Sequence, residues 1–355
     1  MKTRVLIVDD SATMRALLSR LLGSEPDIEV VGAAADAIEA RSMIRELNPD
    51  VVTLDIEMPG MNGLDFLEKI MHLRPMPVVI VSGITSKGCE TTIRALELGA
   101  VDCYAKPNGS MSGLLGNDDG LLGRMVRDAA RVRFVRVPNA PAPVSPALYN
   151  PVVQQSIAVS KVGGSANARL IAIGASTGGV EALHHLLPAF PENCPPTVIV
   201  QHISAAFAPA MAARLDKQCR AQVQLLESGA ILHPGHIYIA PGNDKHALIG
   251  GGEKIIAKLV PGDPVSGHRP SIDAMFESVA QKLGPAAVGI LLTGMGQDGA
   301  RGLLAMRRAG GRTIAQDEAT STVYGMPRAA ADIGAAEKIL PLPRIAERAL
   351  SVAGL

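Results

Sequence analysis

Residues 170–181 read LIAIGASTGGVE, an apolar run followed by a serine between glycines and then the start of a helical pattern. The apolar run has no polar interruption, which is typical of a strand buried on both faces of a parallel sheet. The glycines around Ser176 permit a tight turn, so the stretch fits the strand-turn-helix pattern G-x-S-x-G of serine nucleophiles. By itself this pattern leaves three interpretations open: a nucleophile, an ordinary turn between strand and helix, or a nucleotide-binding loop.

The composition describes a globular protein with two domains. The chain of 355 residues exceeds one ordinary core, and 47% of the residues are hydrophobic. Lys+Arg and Asp+Glu balance at 34 each, so no net charge would attract nucleic acid or an anionic membrane. The four cysteines are scattered without metal-ligand spacing, which favours reduced thiols. No segment is long and apolar enough for a signal peptide or a membrane span, so we expect a cytoplasmic protein.

Short apolar runs in the N-terminal part of the chain alternate with helical patterns, and each run ends in a polar residue. These ends are Asp9-Asp10, Asp55, Ser82 and Lys106. The alternation predicts a doubly wound parallel sheet, and the polar side chains should converge beyond the carboxyl ends of its strands. Three carboxylates at one place repel each other unless a cation joins them, and oxygen ligands suit Mg²⁺. Each aspartate alone is also compatible with a helix cap or a turn.

This part of the chain resembles the receiver domains of two-component signalling. The resemblance is carried by DD at 9–10, D-x-E-M-P-x-M-x-G-L-D from 55, S at 82 and K-P at 106. It implies a flavodoxin-like fold and a phosphoryl group that Asp55 accepts from a histidine-kinase partner. The implied Mg²⁺ ligands are Asp9, Asp10, Asp55 and the backbone carbonyl of Glu57, and the implied switch residues are Ser82 and Lys106.

The composition changes near residue 127, where Pro, Ala, Ser, Val and Gly begin to dominate without a clear period. We predict a receiver domain at residues 1–126, a closing helix and flexible linker at 127–167, and a second domain at 168–355. The low charge of the linker gives no indication of nucleic-acid binding.

The second domain again alternates strands and helices, and three of its predicted strands end in Ser176, His202 and Asp298. A serine nucleophile needs a base, and the base needs a carboxylate that fixes its tautomer. Among eight histidines, only His202 directly follows a buried-strand pattern. We assign His246 and His268 to turns without a catalytic role. The order Ser, His, Asp differs from that of α/β-hydrolases, so G-x-S-x-G does not place the domain in that fold.

A receiver followed by this serine domain resembles the chemotaxis protein-glutamate methylesterases, the CheB family. The motifs are IGASTGG around Ser176, QHIS around His202, HIYIAPG at 236–242, LLTGMGQDGA at 291–300 and AQDEATSTVYGMP at 315–327. The resemblance implies a Rossmann-like serine esterase domain, a triad of Ser176, His202 and Asp298, and an oxyanion contact from the backbone amide of Met295. Candidate pocket residues by the same resemblance are Thr177, Gln201, Ser204 and Met326.

The implied reaction is hydrolysis of glutamate methyl esters on methyl-accepting chemoreceptors, releasing methanol without a cofactor, together with deamidation of receptor glutamines. The unphosphorylated receiver would cover the esterase cleft, and phosphorylation would open it. The alternative is a phosphorylation-dependent binding module with an inactive hydrolase domain. A dinucleotide site is disfavoured because residues 174–179 lack G-x-G-x-x-G and Cys194 stands where an acidic ribose ligand would be expected. Neither nucleic acid nor membrane insertion is expected.

Overall fold

The computed structural model describes residues 2–58, 62–106, 120–132, 169–242 and 244–355. The predicted flexible linker up to residue 167 lies almost entirely outside the described residues, as do Pro107 and the motif residues 59–61. The described residues form two α/β domains, each built on a parallel sheet.

The first domain has five strands: β1 (Thr3–Val8), β2 (Ile28–Ala34), β3 (Val51–Asp55), β4 (Val78–Ser82) and β5 (Asp102–Ala105). Its helices are α1 (Ala12–Gly23), α2 (Ala37–Leu47), α3 (Gly63–Leu73), α4 (Ser86–Glu97) and α5 (Leu121–Ala129). The strand order β2-β1-β3-β4-β5, with all pairs parallel, is the flavodoxin-like order, with its switch point between β1 and β3. Strand β2 was not predicted, because most of this edge strand is only partly buried and it has no continuous apolar run.

Helix α5 closes the first domain. It begins at Leu121 and ends at Ala129, so the predicted boundary between residues 126 and 127 falls inside a helix. Its buried residues Leu122, Val126 and Ala129 pack in one apolar cluster with the strands of the receiver-type sheet. The helix therefore forms part of the first domain, because its amphipathic face covers that sheet.

The second domain contains a large parallel sheet and a separate hairpin. The sheet strands are β6 (Leu170–Ala175), β7 (Thr197–Gln201), β8 (Gln222–Leu225), β9 (His236–Ile239), β12 (Ala287–Leu291), β13 (Arg312–Gln316) and β14 (Lys338–Leu340). The antiparallel hairpin comprises β10 (Lys245–Gly250) and β11 (Ile256–Pro261). The helices are α6 (Gly179–Leu186), α7 (Ala208–Asp216), α8 (Ile272–Leu283), α9 (Ala300–Arg308), α10 (Met326–Asp332) and α11 (Leu342–Ala353), with short 3₁₀ turns at Leu187–Ala189 and Gly284–Ala286.

The order of the large sheet is β14-β13-β12-β6-β7-β9-β8, with parallel pairing throughout. Every residue of β6, β7 and β12 is buried, as expected for central strands covered by helices on both faces. The chain leaves β6 on the side of β7 and later returns to its other side as β12. The crevice at this switch point is where doubly wound sheets place their sites.

The two domains touch through α4 on one side and α6 and α7 on the other. Glu97 in α4 makes a two-pronged ion pair with Arg214 in α7, with distances of 2.5 Å from Oε1 to Nε and 2.7 Å from Oε2 to Nη2. His184 in α6 adds its Nε2, 3.1 Å from Glu97 Oε1. Within the described parts of the chain, no helix has the length and apolar character needed to cross a membrane.

Candidate active site

The first site lies at the carboxyl ends of β1 and β3, beside the switch point of the receiver-type sheet. Carboxylate oxygens of Asp9, Asp10 and Asp55 all lie within 4.8 Å of one another. Lys106 follows β5, and its Nζ lies 2.6 Å from Asp55 Oδ2 and 2.9 Å from Asp9 Oδ2. The structure thus brings the predicted acidic residues and the predicted lysine together, and the ammonium offsets part of the repulsion among the carboxylates.

Burial and the ion pair set the protonation of this site. Burial raises the pKa of Asp9, and Lys106 only partly offsets that effect. Burial lowers the pKa of Lys106, but the hydrogen bonds and charges of Asp55 and Asp9 together outweigh it and leave the pKa above its ordinary value. The Lys106 amide donates to the Ser82 carbonyl at 2.7 Å, which brings the predicted switch residues side by side. Among the described residues, the buried Ser82 hydroxyl has only long contacts, of 3.4 and 3.5 Å, to two backbone carbonyls.

The donor set of this site fits Mg²⁺. Three carboxylates offer hard oxygen ligands within reach of one cation. The Glu57 amide donates to Asp55 Oδ1 at 3.0 Å, which keeps residue 57, the predicted carbonyl ligand, next to the cluster. A divalent cation would relieve the repulsion that Lys106 offsets only in part.

The second site begins at Ser176, which follows β6 at a turn with unusually close contacts. Gly178 has a φ of 75°, and a Cβ atom there would lie 2.5 Å from Thr322. A Cβ atom on Gly294 would lie 2.6 Å from the Cβ atom of Ser176. Because only glycine avoids these clashes, the loop after β12 can lie directly against the serine, which is 8% exposed.

His202 follows β7, and its amide donates to the Ala175 carbonyl at 2.9 Å. Its ring Nε2 lies 2.9 Å from Asp298 Oδ2. A carboxylate accepts hydrogen bonds, so the ring proton belongs on Nε2 and Nδ1 carries the lone pair. Nδ1 is buried and has no hydrogen-bond partner among the described residues. The lone pair of Nδ1 is therefore not engaged by the described residues, and the structure brings Ser176, His202 and Asp298 to the ends of three adjacent strands.

Asp298 is held at the N-terminus of α8. Its Oδ1 accepts hydrogen bonds from the Ser271 hydroxyl at 2.7 Å and the Asp273 amide at 3.0 Å. Its Oδ2 accepts from the Ile272 amide at 2.7 Å and from His202. Burial raises the pKa of Asp298, but the hydrogen bond and charge of His202 and the backbone amides bring it below its ordinary value. The carboxylate is therefore ionised and fixed in orientation.

A second histidine lies against His202. The ring of His268 stacks on it, with a centroid distance of 3.8 Å and an interplanar angle of 9°. Burial, reinforced by the neighbouring His202, lowers the pKa of His268 to about 4, so this ring is neutral near pH 7. The assignment of His246 to a turn was wrong, because His246 lies in β10. His268 lies at the end of a turn, in which its amide donates to the Val265 carbonyl at 3.0 Å, but its stacking on His202 was not predicted, because that contact joins distant segments of the chain.

The loop after β12 is hydrogen-bonded to the turn that contains Ser176. The Ser176 amide donates to the Thr293 carbonyl at 3.1 Å, and the Thr293 hydroxyl donates to the Thr177 carbonyl at 3.0 Å. The Met326 amide donates to the Gly294 carbonyl at 2.8 Å, which anchors the other side of the loop. Among the described residues, the Met295 amide has no hydrogen-bond acceptor, so it remains available close to Ser176.

Gln201 links the ends of β6 and β7 through two hydrogen bonds. Its side chain is buried, and Nε2 donates to the Ser176 carbonyl at 2.8 Å and to the His202 carbonyl at 3.1 Å. The sequence singled out Gln201 only as a pocket residue, and it did not single out Thr293 or Ser271. Ser271 did carry a signal, because a serine directly before a helical run is a preferred N-cap.

The first domain covers the second site. A cleft of about 850 Å³ between the domains is lined by Ser176, His202 and Met295 from one side and by Tyr104 and Asp128 from the other. The two domains also share an apolar cluster, in which Met295 packs with side chains of the receiver-type domain. The residues on that other side belong to β5 and α5 of the first domain.

Fold and site together define a class of protein: a hydrolase-type α/β domain with a serine, a histidine and an aspartate at adjacent strand ends, covered by a receiver-type domain. Residues 171–349 match the family model for the CheB methylesterase, and residues 5–114 match that for the response regulator receiver domain. The chain belongs to the CheB methylesterase family and is a hydrolase with an attached receiver domain.

Relatives support this membership along the whole chain. The protein-glutamate methylesterase/protein-glutamine glutaminase 1 of Caulobacter vibrioides is 53% identical over 99% of this chain and 98% of its own length. The protein-glutamate methylesterase/protein-glutamine glutaminase of Rhizobium etli is 51% identical over 98% of this chain and 96% of its own. The crystal structure of the Thermotoga maritima CheB methylesterase catalytic domain is 33% identical and aligns with a TM-score of 0.51, covering 53% of this chain and all of that domain.

Proposed function

We propose that this chain is a phosphorylation-regulated protein-glutamate methylesterase. Its substrates would be glutamate methyl esters of methyl-accepting chemoreceptors, and it would also deamidate receptor glutamines. The observation that carries the proposal is the hydrogen bond from His202 Nε2 to Asp298 at the strand end beside Ser176. We assign the receiver to residues 1–132 in place of the predicted 1–126, and the esterase domain to residues 168–355.

In the proposed reaction, Ser176 Oγ attacks the ester carbonyl while His202 Nδ1 takes the hydroxyl proton. The negative charge that forms on the carbonyl oxygen would be stabilised by the Met295 amide, which has no other acceptor among the described residues. Asp298 stabilises the imidazolium that forms on His202. The proton then moves from His202 to the methoxy oxygen, and methanol leaves an acyl enzyme on Ser176.

Hydrolysis of the acyl enzyme reverses these roles. His202 Nδ1 takes a proton from water, the resulting hydroxide attacks the acyl carbonyl, and Ser176 Oγ leaves with the proton returned by His202. The products are a receptor glutamate and the regenerated enzyme. With a glutamine substrate the first leaving group is ammonia, and the later steps are the same. None of these steps requires a cofactor.

Regulation would act through the covering domain. Asp55 would accept a phosphoryl group from a chemotaxis histidine kinase, with Asp9, Asp10, Asp55 and the Glu57 carbonyl holding Mg²⁺. When bound, Mg²⁺ would neutralise charge on the transferred phosphoryl group. Ser82 and Lys106 would contact the phosphoryl oxygens, so Lys106 would exchange its present ion pairs for new ones. Lys106 directly follows β5, whose residues line the interdomain cleft, so that exchange would favour an open arrangement.

Methanol release from methylated receptor membranes tests the proposal directly. The intact chain should release methanol, and a small phosphodonor should increase the rate. Ser176→Ala should lower the rate by about 10³-fold or more, because the nucleophile is lost. Circular dichroism of the variant would establish that the fold is retained.

The same assay separates the alternative function. A binding module with an inactive hydrolase domain would release no methanol with either the wild type or Ser176→Ala. Equal methanol release by the wild type and a folded Ser176→Ala variant would instead place the nucleophile elsewhere.

A further inference from the structure

The β10–β11 hairpin stands outside the large sheet, and the proposed reaction gives it no role. Yet it carries His246, a histidine that is only 6% exposed. The Nε2 of His246 lies 2.9 Å from the Asp263 carbonyl, and its Nδ1 lies 3.2 Å from the Ser271 amide. A carbonyl can only accept and an amide can only donate, so both contacts are satisfied by one state, the neutral ring with its proton on Nε2.

Ser271 connects this histidine to the catalytic site. Its amide donates to His246, and its hydroxyl donates to Asp298 Oδ1 at 2.7 Å. The same hydroxyl oxygen accepts from the Ala274 amide at 3.3 Å and so caps α8. Ser271 is 0% exposed, so its side chain cannot touch a substrate. An effect of the Ser271 hydroxyl on the reaction therefore passes through its hydrogen bond to Asp298 or through its cap of α8.

The hairpin holds α8 at two places. At the N-terminus of the helix, His246 binds the Ser271 amide, and about two turns further on the Ile249 amide donates to the Ser278 hydroxyl at 2.8 Å. The hairpin thus contacts the helix whose N-terminal amides bind Asp298. Space for the His246 ring comes partly from Gly262, where a Cβ atom would lie 3.2 Å from His246 Cδ2.

We propose that His246 and Ser271 are positioning residues for the hydrolase reaction: His246 fixes the Ser271 backbone, and Ser271 fixes Asp298 and keeps it ionised. The hairpin is then the support of the triad carboxylate. This inference rests on the proposed roles of His202 and Asp298. It extends them by naming the chain of contacts from Asp263 through His246 and Ser271 to the carboxylate.

Variants of Ser271 in the intact chain test the link to Asp298. Ser271→Ala and Ser271→Gly both remove the hydroxyl, and each should lower kcat for methanol release about tenfold, because a hydrogen bond to a charged group is lost. KM should stay within about twofold of the wild-type value. Ser271→Thr keeps the hydroxyl and should restore kcat. Because glycine caps helices nearly as well as serine, a cap-only role predicts that Ser271→Gly is close to wild type.

The pH profile gives a second readout. With fewer donors on Asp298, the coupled pair of His202 and Asp298 holds its protons more tightly. The acid limb of kcat/KM should therefore move to higher pH in Ser271→Ala and Ser271→Gly, but not in Ser271→Thr. A role in stability alone would leave this limb in place.

Two isosteric substitutions test His246. Asparagine places an oxygen near the position of His Nδ1 and can accept from the Ser271 amide, whereas glutamine places its amide nitrogen near Nε2 and keeps only the contact with Asp263. We expect kcat to follow the order wild type, His246→Asn, His246→Gln, with the glutamine variant about fivefold or more below the asparagine variant. If His246 only fills space, the larger glutamine should be the better replacement.

Ser278→Ala is the matched control, because it removes a hairpin contact of the same kind two turns from Asp298. It should keep kcat and the pH profile of the wild type. Ser176→Ala, assayed in parallel, separates the two levels of inference. Failure of the proposed function would show as activity that survives Ser176→Ala. If Ser176→Ala is inactive while all Ser271 and His246 variants match the wild type, the positioning role is overturned and the proposed function stands.

Discussion

The two sites occupy equivalent places in two doubly wound domains, yet they hold their carboxylates by different means. Asp9 and Asp55 lie at the switch point of the first sheet and are balanced by the flexible ammonium of Lys106. Asp298 lies at the switch point of the second sheet and is held by backbone amides, a buried hydroxyl and His202. Lys106, on a long side chain, can turn to another partner, whereas the backbone amides that bind Asp298 are fixed by the helix end.

This difference suits the two proposed tasks. A site that gains and loses a phosphoryl group needs partners that can move, and a lysine side chain can turn from a carboxylate to a phosphate. A triad carboxylate must keep one orientation through every turnover, and amides fixed at a helix end need no reorganisation during the reaction. The same fold therefore supports a switch in one domain and a preorganised site in the other.

The largest expected effect comes from a substitution of Asp298, the carboxylate that is fixed in the second site. Asp298→Asn should lower kcat for methanol release by about 10⁴-fold, because the amide would favour the wrong histidine tautomer. Asp317, which also follows a strand of the large sheet, is a matched control. Asp317→Asn should stay within about twofold of the wild type. Similar losses in both variants would show that the assay reports stability rather than chemistry.

The carboxylate site of the first domain, in which Lys106 is an exchangeable partner, should respond to the removal of metal ions. Chelation of divalent cations should reduce the activation by a small phosphodonor from its full value, about 5- to 150-fold for typical coupled sites, to none. Methanol release without phosphodonor should be the same with and without chelator, because the proposed serine mechanism includes no step on a metal. Addition of Mg²⁺ in excess of the chelator should restore activation. Loss of the unactivated rate on chelation would contradict this division of roles.

The ion pair between the domains connects the two sites. Arg214→Ala should raise methanol release without phosphodonor about two- to fivefold, because the pair of Arg214 and Glu97 stabilises the covered arrangement and is partly shielded from solvent. Arg344→Ala removes the exposed pair with Glu347 in the same domain and should change nothing. The exchange Glu97→Arg with Arg214→Glu should return the rate toward the wild-type value. An unchanged rate in Arg214→Ala would show that this pair does not limit opening.

The smallest expected effect is a pH dependence of the covered arrangement. Asp102 lines the cleft opposite Ser176 and His202, near Asp128 and Arg124, and burial raises its pKa from 3.8 to about 7. Its ordinary pKa should return when the domains separate. The covered form therefore binds more protons between about pH 4 and 7, and it should weaken as the pH rises through that range.

Asp102→Asn mimics the protonated group, and every other titrating group is common to the wild type and the variant. The rates of wild type and variant without phosphodonor should be equal at or below about pH 4. Near about pH 8 the wild type should be about two- to threefold faster, because only its Asp102 ionises. A ratio that does not change with pH would rule out a contribution from Asp102 to domain docking.

The sequence predicted the buried central strands and the polar residues that directly follow them. Continuous apolar runs in β6, β7 and β12 revealed buried strands, and the polar residues that follow them are the candidate site residues. Edge strands such as β2 and β14 escaped prediction because partial exposure removes the apolar run. The hairpin that holds His246 escaped for a related reason, since its outer strand is mostly exposed.

By itself the sequence determined two α/β domains, the family to which the chain belongs, and the identity of the polar residues at the carboxyl ends of the central strands. These follow from periodicity and from residues close together in the chain. Only the tertiary structure decided that Ser271 and His246 support Asp298, that His268 stacks on His202, and that Glu97 pairs with Arg214. The physical reason is that these contacts join segments that lie far apart in the sequence. A local sequence pattern carries no information on how such segments pack.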